Sequence, residues 1–285
     1  MKLIAEDTKI IFVMTSIGSL LDRFADDFKY ACLDSLNQIG FPKQNITVIS
    51  DTTTDELQKR YGLPTDIQYE DSSNMLKYIE TIDCENLIIV SSCHGSMHGF
   101  ESKTKIKPFP FATALNNNAK AKNILVMFGQ CFSGIYNYSP IDCSKKTIVL
   151  MGAAGMNESA SVDGLAYNGK PINWKANIAV WAFFNWLCAP IDVDGDAKNT
   201  AMDLYKQVSS HVLKVNDILE HSSYAEWIKK RGEVEKKIEA TDKADTAAIN
   251  ALNKELHDNN FNYLLPRQLP WIQNPNGALA MTIEL

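Results

Sequence analysis

Two stretches decide the fold of this 285-residue chain, ENLIIVSSCHG at residues 85–95 and NILVMFGQCFSG at residues 123–134. Each is a run of apolar residues that ends in small or polar ones, which is typical of a strand buried on both faces of a parallel sheet. A chemically reactive side chain follows each run, His94 in the first and Cys131 in the second. The carboxyl ends of neighbouring parallel strands open into one crevice. We therefore expect these two side chains to share a cleft.

Three further apolar runs of the same kind lie at 9–16, 45–50 and 146–154. Between the runs lie helical patterns, with glycine at two helix ends and N-cap residues at one helix start, at 24–40, 54–62 and 71–82. Strands that alternate with helices from residue 9 to residue 190 predict a doubly wound α/β sheet with right-handed crossovers. The tail at 265–285 reads as a loop followed by a final strand.

The pattern changes after residue 200. Residues 201–258 read as almost wholly helical, and within them 224–258 are rich in Lys and Glu. This predicts a solvated helical hairpin or insertion at about 224–258, inside a single domain that spans 1–285.

Composition argues against several classes of partner. A formal net charge of −6 gives no positive field for phosphates, so nucleic acid is not an expected partner. No stretch of eighteen apolar residues occurs, and residues 1–14 lack an uninterrupted apolar leader, so we expect no membrane span and a cytoplasmic location. The six cysteines show no CxxC spacing, which favours buried thiols for most of them.

The pair of His94 and Cys131 has a specific chemical meaning. A thiol is mostly protonated at neutral pH, and a nearby imidazole raises its thiolate fraction and later donates a proton to a leaving amine. Gly95 permits close backbone approach, so its N–H and that of Cys131 are candidate donors for an oxyanion hole. The alternatives are a cysteine that only packs and a histidine with a structural role.

These stretches also resemble a known family. HGSMHG at 94–99 resembles the His-Gly motif of the caspase and legumain clan of cysteine peptidases, and QCFSG at 130–134 resembles its Cys-x-Ser-Gly motif. Weaker matches lie at 38–50, 152–161, 191–208 and 273–285. The resemblance covers about 8–215 and the C-terminal end and is nearest to legumain-type or bacterial caspase-like peptidases. It implies a three-layer fold with a mostly parallel six-stranded sheet and helices on both faces.

The resemblance also implies roles by position. His94 would be the general base and acid, Cys131 the nucleophile and Gly95 an oxyanion donor. His98, the second histidine of the motif, lies outside the implied site. The walls of the primary specificity pocket would come from Arg23, Glu158, Ser159 and Ser161. Arginine favours an acidic substrate side chain, whereas legumain-like pockets mix charges and accept asparagine, so the preference stays open.

Two positions depart from the family pattern. Caspases carry glutamine and legumains glutamate two residues before the nucleophile, where this chain has Gly129, so a pocket side chain is missing. Legumains carry an asparagine that orients the catalytic histidine, and Leu21 occupies that position here. The resemblance therefore implies a dyad without a third member.

An acidic loop is a weaker signal. Asp192, Asp194, Asp196 and Asp203 fall at positions 1, 3, 5 and 12 of an EF-hand-like calcium loop, but Ala197 replaces the glycine of the sharp turn. Carboxylates at a helix N-terminus are favourable without metal, so an acidic loop that caps the following helix is the preferred interpretation.

The sequence thus predicts a cysteine endopeptidase that cleaves protein or peptide substrates through an acyl-enzyme thioester and requires no cofactor. A transpeptidase or transamidase using the same thioester, a catalytically silent binding module and a calcium-controlled regulatory protein are the alternatives. The oligomeric state stays open.

Overall fold

The computed structural model of the chain describes residues 1–3, 6–15, 21–159, 162–166, 170–264, 267–273 and 275–284. Its strands are β1 (Thr8–Met14), β2 (Ile46–Ser50), β3 (Gln68–Asp71), β4 (Asn86–Ser91), β5 (Gly95–Ser96), β6 (Gly99–Phe100), β7 (Asn123–Phe128), β8 (Thr147–Gly152), β9 (Val162–Leu165), β10 (Pro171–Ala176) and β11 (Trp271–Gln273). Its α-helices are α1 (Leu21–Asp26), α2 (Asp34–Gln38), α3 (Thr54–Lys59), α4 (Met75–Thr81), α5 (Pro108–Asn117), α6 (Ile178–Cys188), α7 (Ala201–Ala240) and α8 (Thr246–Leu264). A π-helical stretch, Asp27–Leu33, joins α1 directly to α2.

Seven strands form the central sheet, in the order β11-β8-β7-β4-β1-β2-β3. All neighbours are parallel except β11, which pairs antiparallel with β8. The chain adds β2 and β3 on one side of β1 and then continues with β4 on the other side. The direction of strand addition therefore reverses between β1 and β4, and ligands of open α/β sheets usually bind beyond the strand ends at such a point.

Each buried strand contributes to two cores because successive side chains point to opposite faces. In β1, Ile10, Phe12 and Met14 join the core under the π-helical stretch, α6 and α7. Ile11 and Val13 join the core under α4 and α5. Helices therefore cover both faces, as the α/β prediction requires.

The predicted number of strands is wrong, since the sheet has seven instead of six. The five apolar runs form central strands, but β3 has the polar sequence QYED and lies half-exposed at the edge. Backbone bonds to β2, not apolar burial, place it in the sheet. At the other edge β11 lies earlier than the expected final strand, and the last residues form a short 3₁₀-helix, Pro275–Ala280, and isolated bridges.

Helices α7 and α8 form a hairpin that includes the charged segment 224–258 but is longer than predicted, since α7 begins at Ala201 and α8 ends at Leu264. They pack against each other across a short turn at 241–245, and the rings of Trp227 and Tyr263 stack with centroids 4.5 Å apart. Within the ranges that the structure describes, no helix is both long enough and apolar enough to cross a bilayer.

Candidate active site

His94 and Cys131 occupy equivalent positions beyond two paired strands. Ser91 at the end of β4 is the partner of Phe128 at the end of β7. His94 lies three residues beyond Ser91, and Cys131 lies three residues beyond Phe128. The parallel register therefore places both residues at the carboxyl edge of the sheet, on adjacent strands.

The two segments are in direct contact through Gly95. A Cβ at position 95 would overlap the carbonyl oxygen of Cys131 and would lie 2.5 Å from Cγ of Gln130. Only glycine allows this approach. The close contact that requires glycine at position 95 is therefore with the Cys131 segment, and the role of Gly95 as an oxyanion donor stays a prediction.

The segment that carries His94 is held on both sides. The His94 ring is half-buried and meets the Phe24 ring edge-on, with centroids 5.2 Å apart. The Glu101 N–H donates to the His94 carbonyl at 3.0 Å and closes the hairpin of β5 and β6. His98 lies exposed in that hairpin, so the structure separates the two histidines of the motif.

The Cys131 sulfur faces the backbone of Ser159. The thiol donates to the Ser159 carbonyl at 3.0 Å, and the Ser159 N–H donates to Sγ at 3.3 Å. Burial raises the pKa of the Cys131 thiol, the Ser159 N–H lowers it in part, and the nearby Glu158 carboxylate raises it further. The sulfur is thus held as a thiol and needs a base before it can act as a nucleophile.

The backbone after the sulfur is strained. Phe132 has φ 54°, a left-handed conformation that costs a non-glycine residue of order 1 kcal/mol or more. A 2.9 Å hydrogen bond from the Phe132 N–H to the Asn157 carbonyl holds it there. Such strain persists only where the surroundings fix the chain, and here it marks a fixed turn directly after Cys131.

The Ser-Gly part of the motif anchors the same turn. Ser133 Oγ donates to the Ala154 carbonyl at 2.5 Å, and Trp271 Nε1 donates to Ser133 Oγ at 3.1 Å. Gly134 packs against the Gly155 backbone, where a Cβ would come within 2.7 Å of its carbonyl carbon. These residues hold the turn that follows Cys131 against the loop that follows β8.

A buried carboxylate behind the site was not predicted. Asp27 is completely buried, and its oxygens accept hydrogen bonds from Ser92, Trp174 and Asn177. Desolvation raises the pKa of Asp27 from 3.8 to about 7, although these hydrogen bonds lower it in part. A signal existed in the sequence, because Asp27 falls on the apolar stripe of its helix, three residues after Phe24.

The predicted pocket residues are only partly brought together. Ser159 contacts the Cys131 sulfur through its carbonyl and its N–H, and the charge of Glu158 acts on the same thiol by raising its pKa. Arg23 is half-buried on α1, one residue before the Phe24 ring that contacts His94. Ser161 lies outside the described residues.

The two departures from the family motif have packing explanations. A Cβ at Gly129 would lie 2.7 Å from Val180 and 2.8 Å from Nδ2 of Asn177, so position 129 faces the protein interior. The idea that Gly129 empties one wall of a substrate pocket therefore does not apply here. Leu21 is 8% exposed and belongs to the core, so it offers no polar group to the histidine.

The structure separates Asp203 from the other three acidic residues of the predicted calcium loop. Asp192, Asp194 and Asp196 offer oxygens within 4.8 Å of one another. Asp203 instead caps α7, where its carboxylate accepts hydrogen bonds from the Thr200 N–H and hydroxyl at 2.9 and 2.6 Å. The helix-capping interpretation thus accounts for Asp203, the predicted twelfth position of the calcium loop.

Comparison with known proteins adds no assignment. No family model matches the chain, and no curated protein matches it either.

Proposed function

We propose that this protein is a cysteine endopeptidase in which His94 and Cys131 form the catalytic pair. The observation that carries the proposal is their equivalent position beyond paired strands, with Gly95 packed on the Cys131 carbonyl. A half-buried thiol and a half-buried imidazole at adjacent strand ends support the proposal, since acyl transfer by a cysteine needs a base near the thiol.

The proposed reaction begins with proton transfer. The His94 imidazole takes the Cys131 proton, which frees the sulfur from the Ser159 carbonyl, and the thiolate attacks the substrate carbonyl carbon. The N–H groups of Gly95 and Cys131 are the candidate donors to the resulting oxyanion. The imidazolium then gives its proton to the leaving amine as the C–N bond breaks, leaving a thioester.

Hydrolysis of the thioester completes the cycle. His94 removes a proton from water, the hydroxide oxygen attacks the thioester carbon, and the sulfur leaves and recovers the proton. An amine in place of water would give transpeptidation through the same intermediate. Product analysis with and without an added amine separates these two outcomes.

The charge that lines the pocket decides which substrate side chain is preferred next to the scissile bond. Glu158 lies close enough to the sulfur to raise its pKa and would favour a basic side chain. Arg23 would favour an acidic one. A library of peptides that varies this side chain decides between them, with Glu158→Gln and Arg23→Gln as paired variants.

A covalent probe tests the proposal directly. A peptidyl acyloxymethyl ketone should add to Cys131, and mass spectrometry of the digested protein locates the adduct. Cys131→Ala and His94→Ala should each lower kcat/KM by roughly 1,000-fold or more without loss of the fold. Cys143→Ala and His98→Ala are matched controls, since Cys143 is also half-buried and His98 belongs to the same motif.

Unchanged turnover in either of the first two variants refutes the proposal. A folded wild type that forms no adduct at Cys131 favours a silent binding module instead. The cytoplasmic location and a requirement for no cofactor stay predictions.

A further inference from the structure

A buried cluster of hydrogen bonds lies directly behind the candidate dyad. Ser92 Oγ donates to one Asp27 oxygen at 2.6 Å. The other oxygen accepts from the Asn177 N–H at 3.1 Å and from Trp174 Nε1 at 3.3 Å. Ser92 follows β4, Trp174 lies on β10, and Asn177 is the N-cap of α6. One carboxylate therefore joins its own helix to two segments that are distant in sequence, one at Ser92 and one at 174–177.

The same cluster reaches both catalytic segments at matching positions. Ser92 lies two residues before His94. Gly129 lies two residues before Cys131, and its carbonyl accepts from Asn177 Nδ2 at 2.6 Å. Asn177 thus links Asp27 to the nucleophile segment, while Ser92 links it to the histidine segment.

The link is rigid because its members have little freedom. Asn177 Oδ1 also accepts from Gln268 Nε2 at 2.9 Å, and the Ala179 N–H donates to Gln268 Oε1 at 2.9 Å. Asp27 and Gln268 are 0% and 2% exposed, so water does not compete with these bonds at either residue. Buried and satisfied hydrogen bonds of this kind fix geometry.

We propose that Asp27 is a positioning residue that, through Ser92 and Asn177, sets the placement of His94 relative to Cys131. This inference rests on the proposed peptidase function of the pair. Asp27 acts only through its neighbours and takes no part in the chemical steps.

The ionisation state of Asp27 matters to this role. All three partners donate, so the ionised carboxylate satisfies them, whereas the protonated acid adds a fourth donor to the cluster. Desolvation brings the pKa of Asp27 to about 7, and the Asp26 charge contributes to the rise. Besides Asp26, the ionisable groups on the surrounding segments are Asp22, Arg23, Lys29, Tyr30, Cys32, Cys93, His94, Lys175 and Cys188.

The test compares Asp27→Asn with Asp26→Asn. Asparagine keeps the size of the side chain but removes the charge and one acceptor. Asp26 lies on the same helix, is partly exposed and pairs with Lys29 at 2.9 Å, so its variant is a matched control. We expect Asp27→Asn to lower kcat by about 10- to 100-fold with little change in KM, because small misplacements of reacting groups have effects of this size.

The pH profile supplies a readout that a merely structural role would not move. Wild-type kcat should include a rise near pH 7 as Asp27 ionises, and Asp27→Asn should lose that component while Asp26→Asn keeps it. The rate at which iodoacetamide alkylates Cys131 can be measured as a function of pH without any peptidase activity. It should show the same component near pH 7 in the wild type and in Asp26→Asn, and Asp27→Asn should lose it.

The outcomes distinguish the positioning role of Asp27 from the proposed peptidase function. If the wild type hydrolyses peptides and Asp27→Asn has the wild-type alkylation profile and kcat, the positioning role is overturned. If the wild type is inactive but the alkylation profiles differ, the peptidase proposal fails and the coupling to Cys131 stands. If Asp27→Asn does not fold, Ser92→Ala replaces it, since it breaks the link to the histidine segment and leaves the carboxylate in place.

Discussion

Replacing Asp27 by asparagine should change the pH dependence of stability in a direction that can be worked out. The pKa of Asp27 rises from 3.8 to about 7 on folding because its carboxyl is completely buried. The folded state therefore binds this proton more tightly than the unfolded chain. Its contribution to stability is complete below about pH 4 and is lost as the pH rises to about 7.

The size of the effect follows from the shift in pKa. A difference of about 3 pH units, at about 1.4 kcal/mol per unit, makes the contribution about 4 kcal/mol. The asparagine variant lacks this titration. The loss of an acceptor at position 27 lowers its stability by an amount that does not depend on pH. Between pH 5 and pH 7 the free energy of unfolding of Asp27→Asn should therefore increase by about 2 kcal/mol relative to that of the wild type.

Urea unfolding at pH 5, 6, 7 and 8 measures this difference, with Asp26→Asn as the control. The free energy of unfolding of Asp27→Asn minus that of the wild type should rise from pH 5 to pH 7 and level off by pH 8. The control should keep the pH dependence of the wild type, displaced slightly toward lower pH because the Asp26 charge that helps to raise the pKa of Asp27 is gone. A gap that is the same at pH 5 and pH 7 would show that the buried carboxyl does not titrate as its surroundings require.

Three further substitutions test the packing of the site and the loop. Gly95→Ala should lower kcat/KM by at least about 10-fold, since its methyl group collides with the Cys131 carbonyl, and steady-state kinetics measures this loss. Trp271→Phe removes the donor to Ser133 and should lower the free energy of unfolding by about 1–2 kcal/mol in urea, with an equal effect in the inactive Cys131→Ala background. Asp203→Ala should lower it by about 1 kcal/mol with or without added calcium, and a calcium-dependent difference would contradict the capping role.

The sequence revealed those parts of the fold that depend on apolar burial. The central strands were predictable because each is buried on both faces and reads as an unbroken apolar run. The edge strand β3 was not, because its polar residues enter the sheet through backbone pairing alone. The hairpin of β9 and β10 was also missed, since β10 alternates polar and apolar residues and lies outside the main sheet.

At the candidate site, too, some residues could be predicted from the sequence and others could not. His94 and Cys131 could be found because each directly follows a recognisable strand, so topology brings them to one edge. Asp27 and Asn177 could not be paired from sequence, because 150 residues separate them and only the packed fold joins them. The contact between Gly95 and the Cys131 carbonyl could not be predicted either, because it depends on the register of the two strands, which the sequence does not give.

The turn between α7 and α8 has a consequence for the integrity of the protein. Asp242–Asp245 are exposed, so a protease can reach this peptide, yet three described segments beyond it are held by other contacts. The α8 segment packs on α7, the Gln268 carbonyl accepts from Asn216, and β11 is hydrogen-bonded to β8. A chain cut at this turn would therefore stay together as two fragments, with the support behind the sulfur intact.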